Sequence, residues 1–136
     1  MKHVMVIDDE RDILTCLHEA LSAEGYRVTA AVSGAEALDV LEDAAPDLVI
    51  LDLRMPDMNG IEVLQAIRRD RPELPVIVCS ALSSYRNDFD IVSSNVAAFI
   101  DKPIDLDKLS QAVRQAIGGG TTELVFPPED ADPEAS

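Results

Sequence analysis

Tryptophan is absent, and aromatic residues make up only 4% of the chain. The core therefore has to be built from Val, Leu, Ile and Ala, the composition of a buried parallel sheet. Cations are scarce as well: 11 Lys and Arg stand against 26 Asp and Glu, a formal charge of −15. Binding to nucleic acid needs clustered cations that displace counterions from phosphates. The single basic cluster, Arg68, Arg69 and Arg71, reads as the solvated end of a helix. This balance speaks against direct contact with DNA or an anionic membrane and suits a basic protein partner or a bound cation. The two cysteines, Cys16 and Cys79, lack metal-ligand or redox spacing and read as reduced, buried thiols. No run approaches the ~18 apolar residues of a membrane span. Val4–Ile7 is too short for a signal peptide, so the expected location is the cytoplasm.

Apolar runs and helical patterns alternate along the chain. Val4–Ile7, Arg27–Ala31, Leu48–Leu51, Val76–Cys79 and Ala97–Ile100 read as strands. The first helix, Asp12–Glu24, carries Ile13, Leu14, Leu17 and Leu21 on one face and stops at Gly25. Ser33 with Glu36 forms a capping box for the second, whose inner face is Ala37, Leu38 and Leu41. Ile61, Leu64 and Ile67 mark a third, and a short fourth is placed within Ser83–Ser94. Asp105 caps the last, with Leu106, Leu109, Val113 and Ile117 inward. Five strands alternating with five helices predict right-handed βαβ units. The expected fold is α/β, a doubly wound five-stranded parallel sheet of flavodoxin-like order 2-1-3-4-5. Residues 1–118 form one domain. Residues 119–136 are a Gly-rich junction and an acidic tail, which its three prolines and five acids mark as disordered.

In such a sheet function gathers at the carboxyl ends of the strands. The first strand runs into Asp8, Asp9 and Glu10, the third into Asp52, the fourth into Ser80, and the fifth into Asp101 and Lys102. Carboxylates so close repel one another. A hard divalent cation with oxygen ligands, Mg²⁺ above all, relieves the conflict. It would also neutralise an incoming phosphoryl group, with Asp52 as nucleophile, Ser80 as hydrogen-bond donor and Lys102 as a point charge. Taken singly, each residue is as well explained as a helix cap or a solvated side chain. Four of five strands ending on the residue types that one reaction needs is what favours the chemistry.

Four motifs then carry a family resemblance: V-I-D-D-E (Val6–Glu10), L-D-L-R-M-P-D-M-N-G (Leu51–Gly60), Ser80–Ala81, and F-I-D-K-P (Phe99–Pro103). In this order they resemble the receiver domain of two-component response regulators, such as the chemotaxis response regulator, over Lys2 to Ile117. The resemblance implies that Asp52 is the phosphoacceptor, a phosphoprotein site rather than an enzyme's active centre, with self-catalysed phosphotransfer and autodephosphorylation. It implies a Mg²⁺ site (Mn²⁺ substituting) of Asp8, Asp9, Asp52 and the backbone carbonyl of Arg54, with Asp9 the more direct ligand. Ser80 and Lys102 complete the reacting group. Ser80 and Phe99 form the switch, and the Lys102–Pro103 bond is cis.

The implied partners are a sensor histidine kinase or phosphotransfer protein and an unknown downstream protein. The latter would meet the face made by the fourth helix, fifth strand and last helix. The molecule would be a monomer or a phosphorylation-dependent homodimer. Asn95-Val96-Ala97-Ala98-Phe99 departs from the common Gly-Ala-x-x-Tyr, and Phe99 lacks the hydroxyl of the commoner Tyr. Arg54 and Leu82, two residues past Asp52 and Ser80, hold no carboxamide or acid to orient a hydrolytic water, so slow self-dephosphorylation is expected. A haloacid-dehalogenase-like phosphatase is disfavoured because Arg54 stands where that chemistry needs a second Asp. A phosphate-independent interaction module is disfavoured because every expected site residue is present.

Overall fold

The structure, a computed structural model, describes residues 1–54, 60–81 and 96–118. Five strands form a single parallel sheet: β1 (His3–Ile7), β2 (Arg27–Ala31), β3 (Leu48–Asp52), β4 (Val76–Ser80) and β5 (Ala98–Asp101). Their order is β2-β1-β3-β4-β5, as expected. Among the described residues there are four helices: α1 (Arg11–Ala23), α2 (Gly34–Ala44), α3 (Gly60–Asp70) and α4 (Leu106–Ile117). The helix expected within residues 83–94 and the tail from 119 lie outside the described residues.

β1, β3 and β4 are buried along their whole length, which explains why they read as unbroken apolar runs rather than alternating ones. Side chains alternate between the two faces with period two. Met5, Ile7, Val49, Leu51, Val76 and Val78 meet Ala37 and Leu41 of α2 and Val63, Leu64 and Ile67 of α3. Val4, Val6, Leu48, Ile50, Ile77 and Cys79 meet Leu14, Leu17 and Leu21 of α1 and Leu109 and Val113 of α4.

The helix ends follow local chemistry. Ser33 Oγ accepts the Glu36 N–H at 3.1 Å, while the Glu36 carboxylate accepts the N–H of Val32 at 2.8 Å, one residue earlier than a reciprocal capping box would place it. Asp105 Oδ1 accepts from the N–H groups of Asp107 and Lys108. Two expectations are corrected. Leu106, expected to point inward, is 40% exposed, because it opens the helix beyond the edge of the core. Arg68 is not simply solvated: its guanidinium folds back to donate to the carbonyl of Leu74 at 2.6 Å, closing the turn before β4.

α2 ends on Ala45 with φ of 44°. The left-handed conformation costs an L-residue roughly 1 kcal/mol that glycine escapes. Ala45→Gly is therefore expected to raise stability by about 0.5 kcal/mol, after the entropy that glycine adds to the unfolded chain. Urea unfolding, read as a higher midpoint at unchanged slope, checks this.

At the opposite end of the core, α4 is tied to the end of α1. Glu24 accepts from Ser110 Oγ at 2.6 Å and from Arg114 at 3.2 Å. The Tyr26 hydroxyl donates to the carbonyl of Gly118 at 2.9 Å.

Candidate phosphoacceptor site

The same alternation that sorts the core also builds the site. Even-numbered positions of β1 and β3 face α1 and α4, and Asp8 and Asp52 continue that series beyond Val6 and Ile50. Lys102 does so for β5, after Ala98 and Ile100. Because β1 neighbours β3, the two aspartates fall side by side at the carboxyl edge, and their side chains are each 4% exposed.

Lys102 Nζ holds the cluster together, lying 2.9 Å from Asp8 Oδ2, 3.1 Å from Glu10 Oε1 and 3.2 Å from Asp52 Oδ2. Backbone groups orient the acids. The Glu10 N–H donates to Asp8 Oδ1 at 2.9 Å, and the Arg54 N–H donates to Asp52 Oδ1 at 3.2 Å. Carboxylate oxygens of Asp8, Glu10 and Asp52 all lie within 4.8 Å of one another. Three carboxylates against one ammonium leave an excess of two negative charges, the charge of one divalent cation.

Burial pushes the Asp52 carboxyl above the ordinary carboxylate range; the Arg54 N–H opposes the rise, the Asp8 charge adds to it, and Lys102 partly offsets it. For Lys102 burial acts the other way, but the hydrogen bond and charge of Asp8, the charge of Asp52 and the hydrogen bond to Glu10 outweigh it. The ammonium is held above its usual pKa. Cys79, just beneath the site, has its thiol pushed up to about 12 by burial. Cys16, expected to be buried, is exposed: it sits on α1 on the rim of a groove of about 540 Å³ with Ile13, Leu17, Pro103 and Ile104.

The other expected site residues are placed as follows. Asp9 is exposed and lies outside the acidic cluster, and Glu10 occupies the third place in it. Glu10 was legible as a strand-end acid but carried no motif role of its own. Ser80 is fully buried at the end of β4, and its carbonyl accepts the Lys102 N–H at 2.9 Å. Its parity follows Val76 and Val78, so it belongs to the opposite face from Asp52. Phe99, the register partner of Val78, is half-buried on that same face. The Lys102–Pro103 bond is cis. Leu82 lies outside the described residues.

A parallel sheet of this order, with a buried aspartate at the end of its third-numbered strand facing a second acid and a lysine, defines a phosphoacceptor class of domain. Residues 4–114 match the response regulator receiver domain model. The chain belongs to that family, whose members are signalling domains of two-component systems. It is 39% identical over 115 residues to the transcriptional regulatory protein GlrR of Escherichia coli K12, covering 85% of this chain and 26% of GlrR. It is 37% identical over 134 residues to the transcriptional regulatory protein KdpE of Mycobacterium tuberculosis H37Rv, covering 97% of this chain and 59% of KdpE. The chain thus spans about a quarter of the first relative's length. The response regulator TrrA of Thermotoga maritima, solved in complex with Mg²⁺-BeF, superposes with a TM-score of 0.80 at 35% identity, covering 86% of this chain and all of TrrA.

Proposed function

We propose that this domain is a switch in which Asp52 takes a phosphoryl group from a sensor histidine kinase or phosphotransfer protein. A carboxylate oxygen of Asp52 forms the new P–O bond. The bond from phosphorus to the donor breaks, and the leaving group departs with the electron pair. The observation that carries this reading is the buried Asp52 carboxylate, oriented by the Arg54 N–H and Lys102 beside a second buried acid.

The donor set fits a hard divalent cation: oxygens only, close together, with surplus negative charge. Asp8 and Asp52 would hold it, with Asp9 and the backbone carbonyl of Arg54 as further protein ligands. Mg²⁺, or Mn²⁺ in its place, supplies neutralisation of the phosphoryl oxygens. The Mg²⁺-BeF complex of TrrA supports this assignment. Lys102 contributes a fixed positive charge. Ser80 donates to a phosphoryl oxygen, and Phe99, on the same face, turns inward as Ser80 moves. This shifts a two-state equilibrium of the surface around β5 and α4.

That surface serves a downstream protein in the cytoplasm, as a monomer or as a phosphorylation-dependent homodimer. With a formal charge of −15 on the whole chain, this domain makes no direct nucleic-acid contact. Among the described residues no helix is long and apolar enough to cross a membrane. Intact mass after incubation with acetyl phosphate and Mg²⁺ tests the reading. One added phosphoryl group supports it, and an unchanged mass with properly folded protein refutes it. Because Arg54 offers no carboxamide or acid to orient a hydrolytic water, the phosphorylated form should persist for minutes or longer after donor removal. Decay within seconds would show that another residue supplies that function.

A further inference from the structure

Lys102 is ringed by carboxylates: its ammonium donates to Asp8 and Glu10 and forms an ion pair with Asp52. An ammonium carries three N–H groups, and three carboxylate oxygens surround this one at 2.9, 3.1 and 3.2 Å. A phosphoryl oxygen on Asp52 would compete for this ammonium with the carboxylates that already hold it. Asp52 is the acceptor itself. Asp8 is buried, and its other oxygen is held by the Glu10 N–H. Glu10 is different: its side chain is 59% exposed, so water takes over its solvation as soon as it leaves. Its carboxylate has no capping role either, because no side-chain cap bond forms at the start of α1.

We propose that Glu10 is an exchangeable counter-ion of Lys102, a positioning residue that occupies the lysine until the phosphoryl group displaces it. It thereby acts as a brake on phosphoryl entry. This rests on the reading of Asp52 as acceptor. No covalent bond is involved: one carboxylate oxygen gives way to one phosphoryl oxygen on the same ammonium. The opposite possibility, that Glu10 serves mainly as a cation ligand, makes predictions of opposite sign.

The test compares wild type with Glu10→Gln and Glu10→Ala. Asp12→Asn serves as a charge control two residues further on, outside the acidic cluster. The initial rate of phosphoryl gain from acetyl phosphate is measured at saturating Mg²⁺ over a series of ionic strengths, and Mg²⁺ affinity by calorimetry. Both Glu10 variants should label about 2- to 5-fold faster than wild type at low salt, the range expected for releasing an exposed ion pair. That ratio should shrink towards one as salt screens the pair. A merely structural effect would not follow ionic strength in this way. Equal or slower labelling overturns the proposal, and slower labelling with weakened Mg²⁺ binding makes Glu10 a metal ligand instead. An equal gain in Asp12→Asn assigns the effect to general charge and also overturns it. A folded wild type that takes no phosphoryl group sinks the phosphoacceptor reading, and this proposal with it.

Discussion

Asp52→Asn is expected to abolish the Mg²⁺-dependent gain of a phosphoryl group while making the domain more heat-stable. The first effect is all-or-none, because the carboxamide offers no anionic oxygen to form the acyl phosphate. The second follows from the environment of the carboxylate. Burial raises the folded-state pKa of Asp52, and Asp8 adds to the rise. A raised carboxyl pKa means that the native state binds the proton more tightly than the unfolded chain. Stability is then lost as pH climbs from the unfolded carboxylate value of 3.8 through the raised folded value. At neutral pH the ionised Asp52 is thus a net burden in the metal-free domain, and the neutral side chain removes it. Calorimetry without divalent cations should show a higher Tm for the variant by a few degrees, corresponding to roughly 1 kcal/mol. At pH near 3 the difference should close. Lower stability of the variant at pH 7 would mean that the ion pair with Lys102 outweighs burial and the repulsion from Asp8.

Gly60→Ala should damage the fold itself. A Cβ built on Gly60 would sit 2.3 Å from Leu53 Cα, 2.7 Å from the Leu53 carbonyl oxygen and 2.8 Å from that of Asp52. All three contacts are backbone, so no side chain can swing aside. The Gly60 N–H also donates to the Leu53 carbonyl at 3.0 Å, which fixes the start of α3 against the end of β3. Relieving the clash requires parting these two elements just past the acceptor. An overpacked core site of this kind costs about 3 kcal/mol, and a fall in Tm of the order of ten degrees is expected. A variant that keeps its Tm would show that the two elements part freely enough to absorb the methyl group. A milder loss of stability with slowed labelling would show that the movement reaches Asp52.

The glycine ending the L-D-L-R-M-P-D-M-N-G motif stood out in the sequence as part of a pattern. Only the structure supplies the steric reason for it. The same division runs through the rest of the molecule. The sheet was readable because β1, β3 and β4 are wholly buried and so carry apolar runs that no surface requirement interrupts. The approximate helix faces were readable from spacing, but Leu106 was misplaced because periodicity does not reveal where the core ends. Cys16 was misread for a related reason: it lies among apolar residues in the chain yet on the outer side of α1.

In the site, the strand-end aspartates and Lys102 were legible because each ends an apolar run. The place of Glu10 beside Lys102 was not, since it depends on how the chain turns into α1 while its N–H binds Asp8. Nor could the sequence show that Ser80 and Asp52 stand on opposite faces of the sheet, which follows only from register and parity.

The Tyr26–Gly118 hydrogen bond has a consequence for how a signal leaves the domain. It fastens the end of α4 beside the start of β2, at the amino edge of the sheet. With 12 residues, α4 runs about 18 Å along its axis from Leu106 before residue 118 is reached. That end of the helix therefore lies on the far side of the sheet from the chemistry. Information from Asp52 would reach it through the mechanical stiffness of α4 and its anchor, so loosening the anchor should uncouple output while leaving phosphorylation intact.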